Sequence, residues 1–225
     1  MASNSSPDTA ATTAVLVRPG QPMRLADINP GPAPDDAQKK HKKHLRKLHE
    51  QLSDYQEKLY AEHRRSLLLV FQAIDTGGKD GTIRVLLTGV NPAGVEVAAF
   101  KRPSEEELSH DFLWRIHQRT PSRGHIGVFN RSHYEDVLVT RVHGLIKAPV
   151  WEQRYQDINN FEQLLTPFQE ALAATSTADA PWYVIPANDK HQRDLAIAEV
   201  VVAALAEMNP QPPAADFDLA AQVVE

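Results

Sequence analysis

The stretch richest in chemistry is Asp75-Thr76-Gly77-Gly78-Lys79-Asp80-Gly81-Thr82, in which three glycines surround one lysine. Leu67 to Phe71 precedes it, a short apolar run bounded by polar residues, which predicts a strand buried on both faces. Ile83 to Leu87 follows and predicts a helix. Strand, glycine-rich turn with lysine and helix N-terminus together form a phosphate cradle. The glycines let backbone N–H groups close on an anion, and the lysine and the helix dipole add positive charge. The pattern G-x-x-x-x-G-K-[ST] is not met literally, because Ala73 stands at the first glycine and Asp80 at the hydroxyl residue. Lys79-Asp80-Gly81-Thr82 moves the hydroxyl two places along. Asp75 lies inside the loop, where a carboxylate beside phosphate suits a Mg²⁺ ligand or a group orienting a phosphate nucleophile. An ordinary strand-turn-helix corner is the competing account.

Two more charged clusters follow apolar runs. Val95 to Phe100 predicts a second strand, with Lys101 and Arg102 just past its C-terminal end, the edge where ligands gather in open α/β sheets. His125 to Phe129 predicts a third buried strand, running into Asn130-Arg131-Ser132-His133-Tyr134-Glu135-Asp136. Asn130 takes the place where a nucleotide site usually carries a metal-assisting Asp, and Arg131 offers bidentate bonds to phosphate. Glu135 is then a candidate second carboxylate behind Asp75. His125, His133 and His143 show no H-E-x-x-H spacing, which argues against a zinc site.

These clusters need a scaffold. Residues 1–35 predict a largely irregular arm, small and polar at first, with Val15 to Val17 as a short edge strand. Residues 36–208 form the one domain expected for 225 residues, and 209–225 a C-terminal tail. A long N-terminal helix carries the stripe Leu45, Leu48, Leu52, Tyr55 and Leu59. Its basic run, Lys39 to Lys47, fits an anionic partner or, more simply, a solvated face. Ser104 and Glu107 open a further helix with a capping box, broken by Pro121 and Gly124. Within it, Arg115 and His117 favour structural roles over substrate contact. Trp182 to Ile185 predicts the last strand and His191 to Met208 the last helix. The fold expected is α/β, a parallel sheet flanked by helices on both faces. The net charge of -5 argues against a nucleic-acid partner, and the absence of cysteine excludes disulfides and thiolate zinc sites. No apolar run approaches a membrane span and no secretory leader is visible, so no membrane partner and a cytoplasmic location are expected.

The loop Asp75 to Arg84, Phe100-Lys101-Arg102-Pro103, His110 to Arg115 and Phe129 to Leu138 together resemble the family-2 polyphosphate kinases, whose fold is of the P-loop kinase kind. The similarity is nearly continuous from Ser66 to Gly144 and resumes at Ala171 to Ala198. The Asn130-Arg131-Ser132-His133-Tyr134-Glu135 form looks most like the branch handling both AMP and ADP. The resemblance implies transfer of phosphate between inorganic polyphosphate and adenine or guanine nucleotides, with Mg²⁺ on Asp75 and assembly as a homo-oligomer. It makes Asp75, Lys79 and Arg131 the catalytic residues. Phosphate and nucleotide contacts fall to Thr76, Gly77, Gly78, Asp80, Gly81, Thr82, Lys101, Arg102, Asn130, Ser132, Tyr134 and Glu135.

One departure stands out. In the family, the helix matching Trp151 to Leu165 is followed by a strand and a cation-rich helical lid. Here Leu165-Thr166 runs straight into Pro167-Phe168, so the strand and lid are missing from the sequence. Trp182 to Ile185 is then expected to pair with Ser66 to Phe71, or to leave that edge open. A lid supplies cations and excludes water, so a binding relative with impaired turnover is the alternative function.

Overall fold

The computed structural model describes residues 14–18, 28, 35–73, 77–142, 144, 147–165 and 180–213. Asp75 and Thr76 fall outside them, as do most of the expected arm, the junction at 166 and most of the tail.

Three parallel strands form the sheet: β2 (Leu67–Phe71), β4 (Ile126–Asn130) in the middle, and β3 (Val95–Ala99) on the far side. The pairing is in step, with Phe71 and Ala99 both opposite Asn130. All three chains therefore leave the sheet at the same edge. Alternating side chains send Leu67, Leu69, Ile126, Val128 and Val95 to one face, where α1 (Asp35–Glu62), α2 (Lys79–Leu86) and α7 (Lys190–Met208) cover them. Leu52 and Leu59 of the α1 stripe are fully buried there. Leu68, Val70, Ala98 and Phe129 face the other way, against α4 (Trp114–His117), α5 (Glu135–Val142) and α6 (Ala148–Leu165). This is the expected α/β layering.

Three expectations change. The loop-bearing strand β2 is half-buried throughout rather than enclosed, because among the described residues it stands at the edge of the sheet; the buried centre is β4. The last strand, β5 (Tyr183–Val184), does not join β2. It pairs antiparallel with β1 (Val15–Leu16), and among the described residues the outer side of β2 carries no strand. The helix opened by Ser104 divides into α3 (Glu105–Leu108) and α4. Its capping box forms as expected. The Ser109 hydroxyl then bonds back to Glu106 O, and the Asp111 carboxylate accepts the Leu113 N–H, so side chains take the backbone partners a continuous helix would need.

Candidate phosphate site

The glycine-rich turn is closed on itself. A Cβ at Gly77 would lie 2.8 Å from the Cβ of Ala73, so the two arms of the turn touch. This close approach accounts for Gly77, since a Cβ there would push the arms apart. Gly78 has φ 76°, the left-handed region that a side chain disfavours, and it delivers the chain into α2 at Lys79, four residues before the expected start. The Lys79 amine donates to Ala73 O at 2.6 Å and so lies across the turn. Beside it α2 begins, and the N-terminal end of a helix carries a partial positive charge. Gly81 sits in that turn with open space where a Cβ would stand.

The β4 exit forms the second wall. Asn130 donates to the Asp80 carboxylate, joining the wall to α2. Arg131 takes φ 65° while its N–H donates to Phe71 O at 3.0 Å. A left-handed non-glycine residue costs about 1–3 kcal/mol, so the surrounding structure imposes this turn. Phe100 N donates to Asn130 O at 3.1 Å, which brings the β3 exit alongside, with Lys101 and Arg102 exposed beyond it. Lys79, Lys101, Arg102 and Arg131 thus follow three adjacent strand ends. Glu135, at the start of α5, accepts from Gln72 at 2.6 Å.

Three expected contacts change character. The Thr82 hydroxyl is buried and donates to Asp194 at 3.1 Å on the α7 side, so it is not presented to a ligand. Ser132 is fully buried and its hydroxyl accepts the Tyr134 N–H at 3.2 Å. The Tyr134 ring is buried edge-on against Trp182. These side chains shape the turn from behind.

Arg115 has the structural role expected of it. It is buried, donates to Lys101 O at 2.8 Å, and pairs with Asp136 at 3.3 Å. Burial pushes the Asp136 carboxyl above its usual range, and the charges of Arg115, Arg154 and His133 only partly offset it. Sequence reasoning missed Arg193 and Asp194. A signal existed: Asp194 lies four residues before Ala198 and seven before Val201, a charge on the apolar stripe of α7.

For a divalent cation, the described oxygen donors at the turn are the carboxylates of Asp80 and Glu135, each already bonded to an amide. Among the described residues no group of three or more acidic, His or Cys side chains could hold a metal ion. That donor set suits a hard ion bound through one carboxylate and substrate phosphates, the usual Mg²⁺ arrangement, and not a cage built by protein alone.

The family described as Polyphosphate kinase 2 (PPK2) matches this chain over residues 35–168 and again over 166–213. Among curated proteins, the AMP/ADP-polyphosphate phosphotransferase of Meiothermus ruber is 40% identical over 219 residues, covering 73% of this chain and 82% of that protein. The ADP-polyphosphate phosphotransferase of Rhodopseudomonas palustris is 36% identical over 220 residues, covering 70% and 76%. Among solved structures, polyphosphate kinase 2 from Arthrobacter aurescens TC1 superposes with a TM-score of 0.83 at 34% identity, covering 90% of this chain and 92% of that one. The Meiothermus alignment spans 219 residues but takes in only 73% of 225, about 164, so about 55 positions have no counterpart here. The family match breaks in two at 166–168.

Proposed function

The chain belongs to the polyphosphate kinase 2 family, and on that premise we propose that it moves a terminal phosphate between inorganic polyphosphate and AMP or ADP. The observation that carries this is the convergence of the three strand ends, with their cations, on a closed turn crossed by the Lys79 amine. Phosphoryl transfer asks a protein mainly to align donor and acceptor and to neutralise charge. The N–H groups at the start of α2, with Lys79, would hold the phosphate that moves. Arg131, fixed in its left-handed turn, would bind the neighbouring phosphate in bidentate fashion. Lys101 and Arg102 would line the approach of the polyanion or nucleotide. Asp75 would hold Mg²⁺, which would supply neutralising charge to the phosphates.

The test is ATP formation from polyphosphate and ADP, followed by luminescence. ATP production that disappears in Asp75→Asn is the expected result. No ATP, together with no affinity for pyrophosphate or ADP, would refute the proposal. The alignment positions without counterpart favour a second reading, in which a missing strand and lid leave a protein that binds these ligands but turns over slowly. Saturable binding without ATP formation would select it.

A further inference from the structure

We propose that Arg193, held by Asp194, is a positioning residue that orients the Gly77–Gly78 peptide so that the Gly78 N–H faces the bound phosphate. The proposal rests on the phosphate reading of the turn, and it adds a part of the molecule that carries none of the glycine-loop sequence.

The construction begins at the start of α7. The Asp189 carboxylate accepts the N–H groups of His191 and Gln192 at 2.8 and 3.0 Å, which fixes the first turn of the helix. Those bonds, that from Gln192 first, hold its carboxyl below the usual range. From this turn Arg193 extends to the glycine loop, where its Nη1 donates to Gly77 O at 3.4 Å. Its Nε and Nη2 both donate to the Asp194 Oδ1, at 3.0 and 2.8 Å. The same Oδ1 accepts the Thr82 hydroxyl at 3.1 Å. One buried carboxylate therefore ties α7 to the loop and to α2.

Peptide geometry gives this bond its consequence. In a trans peptide the C=O and the following N–H point in opposite directions, and none of the described bonds is cis. Holding Gly77 O toward α7 turns the Gly78 N–H to the opposite side. A Cβ at Gly78 would lie 2.5 Å from Arg193 Nη1, so a side chain there would displace the guanidinium. The guanidinium thus occupies the space a side chain would fill. Asp194 neutralises Arg193 at close range, so the pair adds little net positive field to the loop. Its contribution is orientation, not charge, and this separates it from Lys79 and Arg131.

The experiment compares wild type with Arg193→Ala, Arg193→Lys and Asp194→Asn in the full chain. It measures pyrophosphate affinity by calorimetry, KM and kcat for polyphosphate, and thermal melting. Arg193→Ala is expected to weaken pyrophosphate roughly tenfold or more, the scale of a lost bond from a charged donor. The loss should fall on KM more than on kcat, with millimolar guanidinium restoring part of it. Arg193→Lys should not recover the affinity, because an ammonium cannot bridge Asp194 and Gly77 O in fork geometry. Wild-type affinity in Arg193→Ala overturns the proposal, as does a loss that tracks melting and ignores guanidinium. Where Arg193 variants fail to fold, the isosteric Asp194→Asn decides: raised KM with melting retained supports the clamp, and unchanged KM overturns it. A wild type that binds no pyrophosphate removes the phosphate reading itself, an outcome separate from failure of the variants alone.

Discussion

The two faces of the sheet are built differently. On the α1, α2 and α7 face, aliphatic side chains from distant parts of the chain form one apolar cluster, with its polar link, Asp194 to Thr82, next to the glycine-rich turn. The α4, α5 and α6 face mixes aromatic packing with buried charge: Arg115 lies over the Phe100 ring and pairs with Asp136, and His133 meets Phe161 edge-on. That second face carries the Asn130 to Asp136 turn. Its last helix, α6, ends at Leu165, next to the break in the family match. One face therefore fixes the cradle, and the other holds charged groups at a cost in burial. The difference teaches that the break near 166 falls on the side away from Arg193 and Asp194, while the Asn130–Asp80 bond is the link between the turn and that second face.

Variants can break or sharpen this contrast. Arg115→Met should have the largest effect, because it leaves Asp136 buried without its ion-pair partner. A loss of about 3–5 kcal/mol in denaturant unfolding is expected. Lys79→Ala on the other side should leave melting unchanged while cutting ATP formation about 10²–10³-fold, the scale for removing one preorganised donor at a reacting oxyanion. Leu52→Ala is expected to cost about 2–5 kcal/mol by unfolding, with no specific loss of phosphate affinity. A pH scan examines Asp136 itself. Its folded pKa is raised, so the folded state binds more protons, and stability falls as pH rises from the unfolded value through the folded one. Asp136→Asn should remove that fall, measured as melting temperature against pH. Ser104→Ala, which removes the capping box of α3, should cost only about 1 kcal/mol and leave both faces intact.

Much of this was legible in the residues. The three strands were marked by apolar runs, and the Leu48, Leu52, Leu59 stripe by its spacing. The Ser104–Glu107 box was visible because both partners are local. What local pattern could not carry was partnership at a distance. Thr82 looked available because its partner, Asp194, lies 112 residues away. Strand β5 found β1 instead of β2, a choice set by chain path, since a two-residue strand holds too little pattern to specify a neighbour. Trp114 followed the helical pattern of Ser104 onward, yet Asp111 restarted the helix at that point through a side-chain bond.

The central claim is that the turn from Gly77 to Lys79 grips phosphate. Titrating the full chain with pyrophosphate in the presence of Mg²⁺, beside Lys79→Ala, tests it most directly. The account predicts saturable heat for the wild type and its loss in the variant at unchanged melting temperature. Equal binding by both proteins, or none by the wild type, would contradict it.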